Sequence, residues 1–193
     1  MLKLLVICGP SGSGKSTLEK NLIVDYPSTF NKLPQVSTRE MRTNERFGDP
    51  YVFVRPDTFD FLKDRLIGRI IQKETDNLFT HQYGTIPDIK PNRVNTLILS
   101  ADAIIDLKAQ IANKKSIFKH YSSSEIKLFI IGLDVSYDDL DNEAKIARPE
   151  RDANFLDREK EVLYTSNHVF KNSNGKYVQS KEIVELLKTH SVI

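Results

Sequence analysis

Eight residues near the N-terminus, Gly9-Pro10-Ser11-Gly12-Ser13-Gly14-Lys15-Ser16, restrict the folds open to this chain more than any other stretch. Before them runs an almost unbroken apolar segment: Leu2, Leu4, Leu5, Val6 and Ile7. Such a run is what a strand buried on both faces requires. After them, from Ser16 to Tyr26, Leu18, Leu22 and Ile23 recur at helical spacing until Pro27 ends the pattern. The reading is strand, glycine-rich turn, helix. Glycines at 9, 12 and 14 let successive backbone N–H groups turn inward around an anion, and the helix starting near Lys15 adds partial positive charge at its N-terminus.

In that context the turn fits the pattern GxxxxGK[ST], which predicts a nucleoside triphosphate held by the loop. Residues Gly9, Pro10, Ser11, Gly12, Ser13, Gly14, Lys15, Ser16 and Thr17 are the expected ATP contacts. Lys15 brings a mobile full charge to the β- and γ-phosphates and is a candidate catalytic residue. The Ser16 hydroxyl is the candidate metal ligand, for Mg²⁺.

Further along, Val52–Val54, Arg69–Glu74, Leu78–Tyr83, Thr96–Leu99, Ile126–Ile131 and Val169–Phe170 read as strands. Asp57–Leu66, Ala101–Asn113 and Lys181–Lys188 read as helices, and the polar stretch from Ser136 to about Glu161 is helical by composition. Strands alternating with helices predict an α/β fold, a mainly parallel sheet with helices on both faces. At 193 residues one domain is expected. No stretch reaches the ~20 apolar residues of a membrane-spanning helix. The single cysteine, Cys8, makes no internal disulfide, which suits a reducing, cytoplasmic setting. With 28 Lys+Arg against 26 Asp+Glu the charge is +2, and no nucleic-acid polymer is expected as a partner.

The acceptor side is carried by Val36-Ser37-Thr38-Arg39-Glu40-Met41-Arg42-Thr43-Asn44-Glu45 and then Gly48-Asp49-Pro50-Tyr51-Val52-Phe53-Val54. Threonine, arginine, a second arginine three residues on, glutamate, glycine and tyrosine-x-phenylalanine-valine form a pattern that resembles the guanylate kinase family. The likeness continues at Glu74 and at Tyr83-Gly84-Thr85. It implies a P-loop nucleoside monophosphate kinase that transfers the ATP γ-phosphoryl group to GMP or dGMP. It also implies a division of labour: a core of residues 1–34, 93–135 and 165–193, a small monophosphate-binding lobe at about 35–92, and a helical lid at about 136–164. A monomer or homodimer is expected.

The chemistry of the residues fits those roles. A dianionic phosphate needs concentrated positive charge with directional donors, which the planar forks of Arg39 and Arg42 supply, with the Tyr51 and Tyr83 hydroxyls beside them. Glu74 suits guanine, whose ring N–H and amino group both donate to a carboxylate; adenine offers a bare nitrogen there. Thr85 adds a hydroxyl. The family's base-facing serine is replaced by Gln35, and its aspartate-x-aspartate by Ser100-Ala101-Asp102, where Asp102 keeps the second position. In the lid, Arg148 and Arg158 match the family's arginines for the transferring phosphoryl group, with Arg151 nearby. Gln35 leaves a broad deoxynucleotide kinase of the bacteriophage type open beside the guanine-specific reading, and a non-catalytic protein-binding module is a third.

Overall fold

The computed structural model describes residues 1–10, 12–43, 45–73, 80–135, 166–172 and 176–193. Ser11, Glu74, Arg148, Arg151, Arg158 and the whole of the expected lid segment fall outside them. The described chain forms two compact units, one of Met1–Lys32, Lys90–Ala101 and Ile126–Ile193, the other of Leu33–Ile89 and Asp102–Glu125.

The first unit is built on a five-stranded sheet in the order β2-β7-β1-β8-β9. Its strands are β1 (Leu2–Cys8), β2 (Phe30–Lys32), β7 (Val94–Ile98), β8 (Ile126–Val135) and β9 (His168–Asn172), all paired in parallel. Leu4, Leu5, Val6 and Ile7 are wholly buried, so both faces of β1 are covered, as the unbroken apolar run requires. Helix α1 (Lys15–Asp25) packs Leu18 and Leu22 into a core with Leu5, Ile7, Phe129, Ile131 and Leu133. The last helix, α4 (Ser180–Thr189), adds Ile183, Val184 and Leu187. Strand β8 runs past Ile131 because Gly132 stays in register, opposite Cys8 and Val169, and Asp134 lies across from Lys171. Where proline at 87 and 91 rules out a helix, the chain is tied down by buried Asn95, whose Oδ1 accepts from Lys90 N at 2.9 Å.

The second unit carries a four-stranded mixed sheet, β4-β3-β6-β5, from β3 (Gln35–Ser37), β4 (Tyr51–Phe53), β5 (Ile67–Lys73) and β6 (Thr80–Thr85). Helix α2 (Pro56–Leu62) is shorter than the period predicts, because Lys63–Arg65 tightens into a 3₁₀ turn. Leu66 then turns extended and is buried with Val36 and Phe59. Helix α3 (Ala101–Ala112) follows β7, and within this unit its Asp106 accepts from Arg69 N at 2.7 Å.

Candidate functional site

In the first unit the loop after β1 has the backbone its glycines were expected to permit. Gly9, Gly12 and Gly14 have φ of 140°, 84° and 89°. A Cβ on Gly9 would lie 2.3 Å from the Leu133 carbonyl oxygen, so no larger residue fits there. Ser13 is buried and its N–H donates to the Pro10 carbonyl at 3.2 Å. Lys15 folds back over the loop, its Nζ donating to the Gly9 and Pro10 carbonyls at 2.7 Å each.

Helix α1 starts at Gly14 with no side-chain cap and no acidic residue in its first turn. The start of α1 thus sets neither a capping side chain nor a carboxylate of its first turn against an anion. Helix α4 behaves in the usual way: the Glu182 carboxylate accepts from Gln179 N at 2.8 Å. Ser16 and Thr17 are exposed at the open start of α1. Ser100, just beyond β7, keeps a buried hydroxyl with no hydrogen-bond partner, and the Ser13 hydroxyl is in the same condition.

In the second unit, pairing decides which side chains share a face. Gln35 lies opposite both Tyr51 and Thr85, and Ser37 opposite both Phe53 and Tyr83. Because side chains alternate along a strand, Gln35, Ser37, Tyr51, Phe53, Tyr83 and Thr85 all stand on one face. Val36, Val52 and Gly84 stand on the other, against Phe59 and Leu66. One face of this small sheet is core; the other is hydroxyl, amide and aromatic ring.

Over the polar face lies Arg39, its guanidinium 5.2 Å from the Tyr51 ring centre and 5.1 Å from that of Phe53. Tyr51 and Tyr83 are 5.7 Å apart, ring to ring. Arg39 is held by Glu45 through two hydrogen bonds, Nη1 to Oε2 at 2.7 Å and Nη2 to Oε1 at 2.5 Å. Only about a tenth of either side chain is exposed, 10% and 11%. Glu45 Oε2 also accepts from Arg42 N at 2.9 Å, so one carboxylate fixes the side chain of one arginine and the backbone of the other. The Arg39 hydrogen bond above all, and the Arg42 N–H after it, hold the Glu45 carboxyl at about 2, against an ordinary 4.5. The same hydrogen bond raises Arg39 above its usual range.

The expected site residues thus fall into two groups. Gly9, Pro10, Gly12, Ser13, Gly14, Lys15, Ser16 and Thr17 belong to the first unit; Gln35, Arg39, Arg42, Tyr51, Tyr83, Thr85 and Asp102 belong to the second. Gln35, Tyr51, Tyr83 and Thr85 are brought onto one face with Arg39 above it; Arg42 is exposed beside Glu45, and Asp102 is exposed in the first turn of α3. Thr85 is wholly buried and its Oγ1 has no hydrogen-bond partner. Sequence reasoning missed the anchoring role of Glu45, although the glutamate stood in the quoted pattern. It missed Phe53 as the second wall beside Arg39, which alternation from Tyr51 would have found.

A parallel sheet flanked by helices, with a glycine loop running from β1 into α1, defines a P-loop α/β fold. The family model described as guanylate kinase matches residues 1–170. The guanylate kinase of Thermotoga maritima is 30% identical over 156 residues, covering 81% of this chain and 69% of that one. That of Helicobacter hepaticus is 33% identical over 127 residues, 66% of this chain and 58% of its own. The crystal structure of guanylate kinase from Anaplasma phagocytophilum shares the fold at a TM-score of 0.60 and 16% identity, over 97% of this chain and 85% of that one. The chain belongs to the guanylate kinase family. Among the described residues no helix is long and apolar enough to cross a membrane.

Proposed function

We propose that this chain transfers the γ-phosphoryl group of ATP to GMP or dGMP, giving the nucleoside diphosphate and ADP in the cytoplasm. The observation that carries the reading is the polar face of the small sheet. A half-buried, carboxylate-anchored arginine lies there beside two tyrosines, in a chain whose loop keeps Lys15 and Ser16. In this reading Arg39 and Arg42, with the Tyr51 and Tyr83 hydroxyls, take the acceptor phosphate. The unpartnered Thr85 hydroxyl and the neighbouring Gln35 amide face the base edge, with Glu74 as the carboxylate that selects guanine and Asp102 as a further acceptor contact. A site built to hydrogen-bond one base rejects another by ~10⁴ or more, because the wrong base leaves its buried groups unpaired.

The donor triphosphate lies along the loop, where Lys15 exchanges the Gly9 and Pro10 carbonyls for phosphate oxygens. The donor set suits Mg²⁺, a hard cation that takes oxygen ligands: Ser16 is exposed at the helix start, and the unpartnered Ser100 hydroxyl offers a further polar contact. Bound with the nucleotide, Mg²⁺ neutralises charge that develops on the transferring phosphoryl group. Arg148 and Arg158 are proposed to reach that group from the lid. Catalysis is positioning and electrostatics, and no side chain serves as nucleophile.

The test is ATP turnover at saturating Mg²⁺ over a panel of monophosphates. GMP and dGMP are expected to be phosphorylated and dTMP, CMP and AMP to be poor acceptors. Equal use of dTMP would overturn the guanine assignment, and no acceptor-dependent turnover at all would overturn the kinase assignment.

A further inference from the structure

Asn172, the last residue of β9, lies 159 positions from the loop in sequence and touches it in space. The residue is 3% exposed, and both ends of its amide are used. Nδ2 donates to the Ser13 carbonyl at 2.8 Å, and Oδ1 accepts from Val178 N at 3.0 Å. The ring of Tyr177 stands beside it, so that a Cβ on Gly14 would meet Tyr177 at 3.3 Å and the Asn172 amide nitrogen at 3.7 Å. The loop therefore has a wall behind it, made by Asn172 and Tyr177.

The contact acts on a single peptide plane. The Ser13–Gly14 peptide is trans, so its C=O and N–H point in opposite directions. Turning the Ser13 carbonyl onto Asn172 turns the Gly14 N–H away from it. That N–H comes at the mouth of α1, where the N-terminus has no side-chain cap. Gly14 follows this peptide, and glycine populates both halves of φ space, so the tie to Asn172 favours the observed orientation over a rotated one. A rotated peptide would present a carbonyl oxygen where an anion needs a donor.

We infer that Asn172 is a positioning residue for the donor site, holding the Ser13–Gly14 peptide in the one orientation that presents its N–H to a nucleotide phosphate. It touches no substrate in this scheme. The inference rests on the proposed donor site, yet it has a readout independent of phosphoryl transfer, namely the affinity for ADP with Mg²⁺.

Two variants of the whole chain test it. Asn172→Asp keeps the acceptor for Val178 N and removes the donor to Ser13; Asn172→Leu is close in shape and removes both. Calorimetry is expected to show ADP binding weakened roughly tenfold or more in each, the loss of one buried hydrogen bond made to an organised site. For Asn172→Asp the loss should persist at about 0.5 M salt, where screening removes most repulsion between the new carboxylate and the phosphates. The KM for ATP should rise while that for GMP stays within about twofold. ADP affinity within about twofold of wild type in the folded Asp variant would overturn the inference, as would ADP and GMP affinities that fall together. If the Leu variant does not fold, the Asp variant decides alone. Wild-type chain that binds ADP but phosphorylates no monophosphate would refute the kinase reading and leave the Asn172 result readable.

Discussion

At Arg39 the count of N–H groups defines what is left to bind with. A guanidinium has five. Glu45 takes one from each terminal nitrogen, and the Glu40 carbonyl takes a second from Nη1 at 2.8 Å. The two that remain are on Nε and Nη2, along one edge, which is a bidentate fork for a phosphate. Glu45 therefore does more than neutralise its partner: it leaves this edge for the acceptor phosphate in the proposed function. Its carboxyl titrates at about 2 in the folded chain and near 4.5 when unfolded, so the folded value is depressed. The stability it confers is fully present above about 4.5 and is lost as pH falls from there toward 2. Glu45→Gln is expected to lower stability by on the order of 2 kcal/mol at neutral pH. Urea titrations of both proteins should converge as pH drops through that window; a gap unchanged at pH 3 would contradict the assignment. Glu45 stood in plain view in the sequence, but its partner did not, because a spacing of six in a loop fixes no geometry.

Among the elements, the strand-to-helix turn was the most legible, since everything that defines it is local: three glycines, a lysine and the apolar run before them. Gly9→Ala is expected to destabilise the fold by about 2 kcal/mol or more and to abolish ATP binding. The new methyl would meet the Leu133 carbonyl at 2.3 Å with φ at 140°. Thermal unfolding and ADP calorimetry on the same sample check both halves. Strand β3 was invisible for the opposite reason. In Gln35-Val36-Ser37 only the middle residue is apolar, because the flanking two face the polar side of the sheet. The functional face of an element is where hydrophobic patterning has least to say. Asn172 was hidden further still, since its partner is a backbone carbonyl in another part of the chain.

For the whole molecule, the alternation of strands and helices was enough to predict the parallel sheet, while the mixed sheet of the second unit depends on pairings that no periodicity encodes. Each unit has its own buried cluster, one around Leu5, Ile7 and Leu22, the other around Val36, Phe59 and Leu66. With donor and acceptor groups assigned to different units, Arg39→Ala is expected to raise the KM for GMP at least tenfold while changing that for ATP by less than about twofold. Steady-state kinetics with each substrate varied in turn would check this, and equal rises would place the residue wrongly. The first unit's cluster has one more consequence. Leu5 and Ile7 share it with Ile183, Leu187 and Val192. Synthesis runs from N- to C-terminus, so β1 is made well before these partners and lacks a full set of apolar neighbours until they too have left the exit tunnel. Until then the nascent β1 must be kept from pairing with the wrong edge, and the glycine loop it carries lacks the packing that fixes its final shape.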